Sequence, residues 1–82
     1  MKQILTNGAQ LGQILATRRR ASKLSQRALA AKLGISQNRL SEIEANPGTL
    51  TVDRLLELAN LLGLELLIQD RPPTQPSSRA EW

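Results

Sequence analysis

The sequence predicts an all-α domain of four or five helices, followed by one β-strand and a disordered tail. Sixteen leucines, five isoleucines and nine alanines supply core material and strong helix formers. Apolar residues recur at three- and four-residue spacings, with a Ser or Thr before most of these stretches and a Gly after. The last apolar run, residues 64–70, is as short as a typical strand and lies between Gly63 and the prolines Pro72 and Pro73. The expected organisation is therefore a helical domain over 1–63, a strand over 64–70 and a tail over 71–82.

Helix 1 is expected over about residues 9 to 22, where Leu11, Ile14 and Leu15 share a face and the chain runs on through Arg18, Arg19 and Arg20 without Gly or Pro. Ser25 caps a second helix that starts at Gln26, with Leu24 packing on Leu29 as a staple, and Gly34 closes it. Ser36 caps a third helix over about 37 to 45. Asn46, Pro47 and Gly48 make a turn, and Thr51 caps a fourth helix that ends at Gly63. Its periodicity puts Val52, Leu55, Leu56, Ala59 and Leu62 on the inward face, and leaves Leu58 and Leu61 as the start of a second contact surface. Residues 64–70 have no second strand in the chain to pair with. The same strand of a second copy, across a two-fold axis, is the natural partner, through Leu64, Leu66, Leu67 and Ile68. A chain of this size buries only about 60% of the surface it exposes when unfolded, so association is also expected to help stability.

Composition removes several functions. There is no His or Cys, so no zinc site, disulfide framework, thiol nucleophile or imidazole base, and no cofactor or enzymatic activity is expected. Trp82 is the single aromatic residue, which excludes modules that stack bases on aromatic rings. No apolar run is long enough to span a bilayer and no secretory leader is evident, so a cytoplasmic location is expected. Charge points the other way, toward a partner. Residues 1–41 hold eight basic groups and no acid, whereas residues 42–82 hold three arginines and seven acids. That asymmetry favours a polyanion on the front half, nucleic acid before a membrane surface.

The second and third helices carry the function. Ala30 sits where two helices approach, Gly34 where the turn needs a positive φ, and Leu40 and Ile43 lie six and nine residues beyond that glycine. This is the spacing of a helix-turn-helix, whose second helix enters the major groove by its first turns. Gln37, Asn38, Arg39 and Ser41 are the polar residues placed to reach base edges, Gln and Asn suiting adenine and Arg guanine. The helix N-termini suit phosphate, with Ser25, Gln26 and Ser36 at the caps and Arg27 and Lys32 as added charge.

Residues 24–63 resemble the Xre and phage-repressor type of helix-turn-helix domain, and with helix 1 the likeness covers about residues 9–63. The resemblance puts most weight on Gln37 and Asn38 as base readers and gives Gln26 a backbone contact. It also implies a structural ion pair between Arg19 and Glu44, and Glu42 stands where the family sometimes places a base reader. Lys23 departs from the family in standing where many relatives have glycine, as does Ala28 in replacing a capping glutamate. A narrower likeness, in LELLIQD and in a tail ending Glu81, Trp82, is to HipB-type antitoxins. Those bind palindromic operator DNA as homodimers and hold a HipA-type kinase toxin, which implies a toxin-binding role for Glu81 and Trp82. The alternatives are a repressor without a toxin and a module that only binds another protein.

Overall fold

The computed structural model describes residues 2–72. Four α-helices, α1 (Gly8–Ala21), α2 (Gln26–Leu33), α3 (Gln37–Ala45) and α4 (Val52–Leu62), are joined by short turns, and a 3-10 turn, Pro47–Thr49, separates α3 from α4. Each helix begins on a side chain that satisfies one of the free N–H groups of its first turn. Ser25 accepts from Ala28, Ser36 from Arg39 and Thr51 from Arg54, at 3.0 to 3.1 Å. Gly34 and Gly63 close α2 and α4 at φ +73° and +71°, a conformation that glycine adopts without a steric penalty.

Helix α1 starts and ends one residue earlier than expected, because Asn7 and Gln10 form a reciprocal capping box. The Asn7 side chain accepts the Gln10 N–H at 3.1 Å, and Gln10 Oε1 accepts the Asn7 N–H at 3.2 Å. At its other end Lys23 is held at φ +59°, a left-handed conformation that costs a residue with a Cβ roughly 1–2 kcal/mol.

Leu15, Leu29, Ala30, Leu33, Leu40, Ile43, Leu58 and Leu62 form one buried cluster, with Leu11, Leu24, Ile35, Leu50 and Leu64 packed around it. The inward face of α4 differs from the expected one. Leu58 is fully buried, whereas Val52 and Leu56 are exposed. A helix with apolar residues at 52, 55, 56, 58, 59, 61 and 62 satisfies a helical period on more than one side. The choice is made by its neighbours, since Arg18 donates to the Leu62 carbonyl at 2.8 Å and Arg54 to the Leu33 carbonyl at 3.0 Å.

Among the described residues the chain forms no strand past Gly63, where residues 64–70 have no strand partner. Leu64 packs on the domain's own core, while Leu66, Leu67 and Ile68 face outward. The expected tail lies almost wholly beyond the described residues, and Glu81 and Trp82 are outside them. Among the described residues no helix is long and apolar enough to cross a membrane.

Helices α1 and α3 approach closely at Gly12. A Cβ there would overlap the backbone carbonyl of Glu44 and stand 3.3 Å from Pro47 Cδ, whereas one at Gly8 would meet nothing. Gly12→Ala is therefore expected to destabilise the fold by about 1–3 kcal/mol, and Gly8→Ala to leave it unchanged within about 1 kcal/mol, as read by urea unfolding.

Candidate nucleic-acid interface

On α3 the pattern of burial defines an outer face. Leu40 and Ile43 are buried and Arg39 and Glu44 half-buried, while Gln37, Asn38, Ser41, Glu42 and Ala45 are exposed. Those five positions, spaced one, four, five and eight from Gln37, share one side of a helix. The structure therefore brings Gln37, Asn38 and Ser41 together. It does not bring Arg39 to them. The Arg39 guanidinium turns aside to the 3-10 turn, donating to the Thr49 carbonyl at 3.1 Å and to Thr49 Oγ1 at 3.2 Å, and to Glu42 Oε1 at 3.1 Å. Arg39 thus lies on the flank of that face. Glu42 takes its place on that face.

Two helix N-termini flank the face. The N–H groups of Gln26 and Arg27, and of Gln37 and Asn38, fall in first turns where no intrahelical acceptor exists. With the helix dipole they suit an anion. Ser25 and Ser36 stand at these ends with exposed side chains already capping their helices, and Arg27 and Lys32 are exposed on α2. Gln26 is half-buried, and its Nε2 donates to Glu44 Oε1 at 3.0 Å, which fixes the orientation of the amide.

Behind Gln26 lies the ion pair that orders the site. Arg19 Nε donates to Glu44 Oε2 at 2.7 Å and its NH2 group to Oε1 at 3.3 Å, a bidentate pair with side-chain exposures of only 10% and 9%. The third Arg19 nitrogen donates to the Leu24 carbonyl at 2.9 Å. The carboxylate thus receives three donors, and the guanidinium meets a charge and a carbonyl, as a buried pair requires.

An open groove of about 560 Å³ runs from this centre along α1. Its walls are Gln13, Thr17 and Arg20 on one side and Gln26, Ser41 and Ala45 on the other, so it continues the outer face of α3. Sequence reasoning assigns Arg20 no place in the site. The signal that marks it is the polar stripe Gln13, Thr17, Arg20 at helical spacing on α1. Arg18 and Arg54 have a different task, donating to the last carbonyls of α4 and α2.

A cap-to-cap pair of short helices, with a free polar face on the second and anion-suited N-termini on either side, defines a helix-turn-helix DNA-binding domain. The family model described as Helix-turn-helix matches residues 15–68, more than half of the chain. The chain belongs to the helix-turn-helix family and is a DNA-binding regulator of transcription in class. No curated protein matches it.

Removing either partner of the Arg19–Glu44 pair leaves the other charge buried. Arg19→Ala and Glu44→Ala are each expected to cost about 3–5 kcal/mol in denaturant unfolding. The double substitution should cost clearly less than the two combined, as a double-mutant cycle would reveal.

Proposed function

We propose that the protein is a sequence-specific transcriptional repressor that binds a palindromic operator as a homodimer. The observation that carries this reading is the exposed arc of α3, with Gln37, Asn38 and Ser41 exposed together from the first turn of α3 onward. Gln37 and Asn38 are amides able to pair bidentately with adenine N6 and N7, and Ser41 reaches the next base pair. The phosphates on either side are held by the first turns of α2 and α3, at Ser25, Gln26 and Ser36. Arg27 and Lys32 add charge, and Arg20 joins them along the groove. Arg19 and Glu44 serve this surface by position, since Glu44 orients Gln26.

Two copies related by a two-fold axis place their reading helices about 34 Å apart, one turn of DNA. Residues 64–70 supply the contact. The segment leaves the domain with Leu66, Leu67 and Ile68 outward, Ile68 being 98% exposed, and its backbone pairs with its symmetry mate as a two-stranded antiparallel sheet. Leu64 anchors the segment to the domain core. The same regulator is a HipB-like antitoxin that holds a HipA-like kinase through Glu81 and Trp82. This part rests on the sequence likeness alone.

DNA affinity is expected to fall steeply with salt, with a log–log slope near −0.9 for each phosphate neutralised. Gln37→Ala and Asn38→Ala should each cost about 1–3 kcal/mol on the preferred site, with little change on unrelated DNA, by fluorescence anisotropy. Equal losses on both DNAs would remove α3 as the reader. Leu66→Asp with Ile68→Asp should turn a sedimenting dimer into a monomer that still binds a half-site. A dimer that survives this change would place the subunit contact elsewhere.

A further inference from the structure

A second cavity, of about 210 Å³, lies between α3, the 3-10 turn and the start of α4, and none of the DNA contacts proposed above uses it. Its lining divides by polarity. The apolar part is Ile43, fully buried, with Ile35 and Leu50 partly so. The polar part is Arg39, Arg54 and Thr51, all of which reach solvent. We infer that this cavity binds a small aliphatic carboxylate, and that the bound acid weakens the hold on DNA. The effect on DNA rests on the reading above, whereas the binding does not.

Both guanidiniums are held in place with donors to spare. Arg39 is tied to the Thr49 carbonyl and hydroxyl and Arg54 to the Leu33 carbonyl, contacts that a ligand leaves intact. Among the described residues, Nε of each arginine and Nη2 of Arg54 meet no acceptor. The acceptors that a ligand displaces are Glu42 and Glu57, whose side chains are 69% and 58% exposed and whose i, i+3 pairs hold weakly in water. A carboxylate matches the planar fork of a guanidinium, and beside Ile35, Ile43 and Leu50 an aliphatic remainder loses its water without stranding a polar group. The volume equals about seven waters at ~30 Å³ each, so the ligand has about seven non-hydrogen atoms. Coupling to DNA runs through Arg39. An anion on it leaves Glu42 uncompensated on the exposed arc of α3, where it repels phosphate. By linkage, DNA weakens binding of the acid to the same degree.

The probe is 3-methylbutanoate, followed by methyl NMR of the full chain at constant ionic strength. Saturable shifts are expected at Ile35, Ile43 and Leu50, with a Kd of about 0.1–1 mM, as suits so small a ligand. The neutral isostere 3-methylbutan-1-ol and inorganic phosphate, which lacks the alkyl chain, should each bind about tenfold more weakly or worse. Arg54→Gln should lose about tenfold in affinity. Glu57→Gln, which releases Arg54 from a competing carboxylate, should gain about two- to fivefold, and it decides the matter where Arg54→Gln fails to fold. In fluorescence anisotropy, saturating acid should weaken DNA binding about fivefold or more against sodium chloride of equal ionic strength. Absence of shifts at the three residues, equal binding of the alcohol or of phosphate, or an unchanged Kd in Glu57→Gln would overturn the site. Shifts without any change in DNA affinity would overturn the coupling. A protein that takes the acid and binds no DNA would overturn the DNA reading and leave the site standing.

Discussion

Glu44 is held from both of its ends, and the rest of the domain depends on that. Its backbone carbonyl lies against Gly12, where no side chain fits, and its carboxylate receives Arg19 from α1 and Gln26 from the first turn of α2. One residue at the end of α3 therefore fixes the two helices that frame it. Burying a carboxylate beside a guanidinium costs desolvation, which is recovered only if the hydrogen bonds are nearly complete. Here the third nitrogen of Arg19 goes to the Leu24 carbonyl, which also fastens the turn that holds Lys23 at positive φ. A strained turn, a buried pair and the Gln26 amide are thus coupled through a single cluster.

Short helices explain why so many arginines are spent on carbonyls. Helices of eight and nine residues, the lengths of α2 and α3, are not stable alone in water, so their order comes from packing and from satisfied ends. Arg54 on α4 donates to the end of α2, and Arg18 on α1 donates to the end of α4. Each contact adds a cation to the negative end of a helix dipole and joins elements distant in sequence. In a core without Phe or Tyr, leucine provides volume and these charged tethers provide direction.

What was legible in the sequence is what local chemistry decides. Ser25, Ser36 and Thr51 as caps and Gly34 and Gly63 as stops follow from the needs of helix ends, and the turns they mark lie where expected. The Asn7 and Gln10 capping box is equally local, and it sets the start of α1 one residue before the position that the apolar spacing of Leu11, Ile14 and Leu15 marks. The inward face of α4 was not legible, because its leucines satisfy two stripes and only the surrounding helices choose. Arg39 shows the same limit at the site. Its place in the first turn of α3 suits a base reader, and only the tertiary position of Thr49 diverts it. Gln37, Asn38 and Ser41 keep the exposure that helical spacing assigns them.

The charge asymmetry of the chain takes a more specific form once partners are known. Three of its cations, Arg19, Arg39 and Arg54, stand against carboxylates, so their charge is largely cancelled at a distance. Arg18 donates to a neutral carbonyl and keeps its charge, and Lys2, Arg20, Lys23, Arg27 and Lys32 have no carboxylate partner among the described residues. Most of the uncompensated field therefore arises from α1, the turn after it and α2, while the exposed arc of α3 carries amides, a serine and an acid paired with Arg39. Long-range attraction steers a polyanion toward the domain and carries no sequence information. Discrimination falls to groups of short reach. On the proposed reading, having the cations beside the exposed arc of α3 and not on it keeps the two functions apart, so attraction to the phosphates does not mask the preferences of the bases.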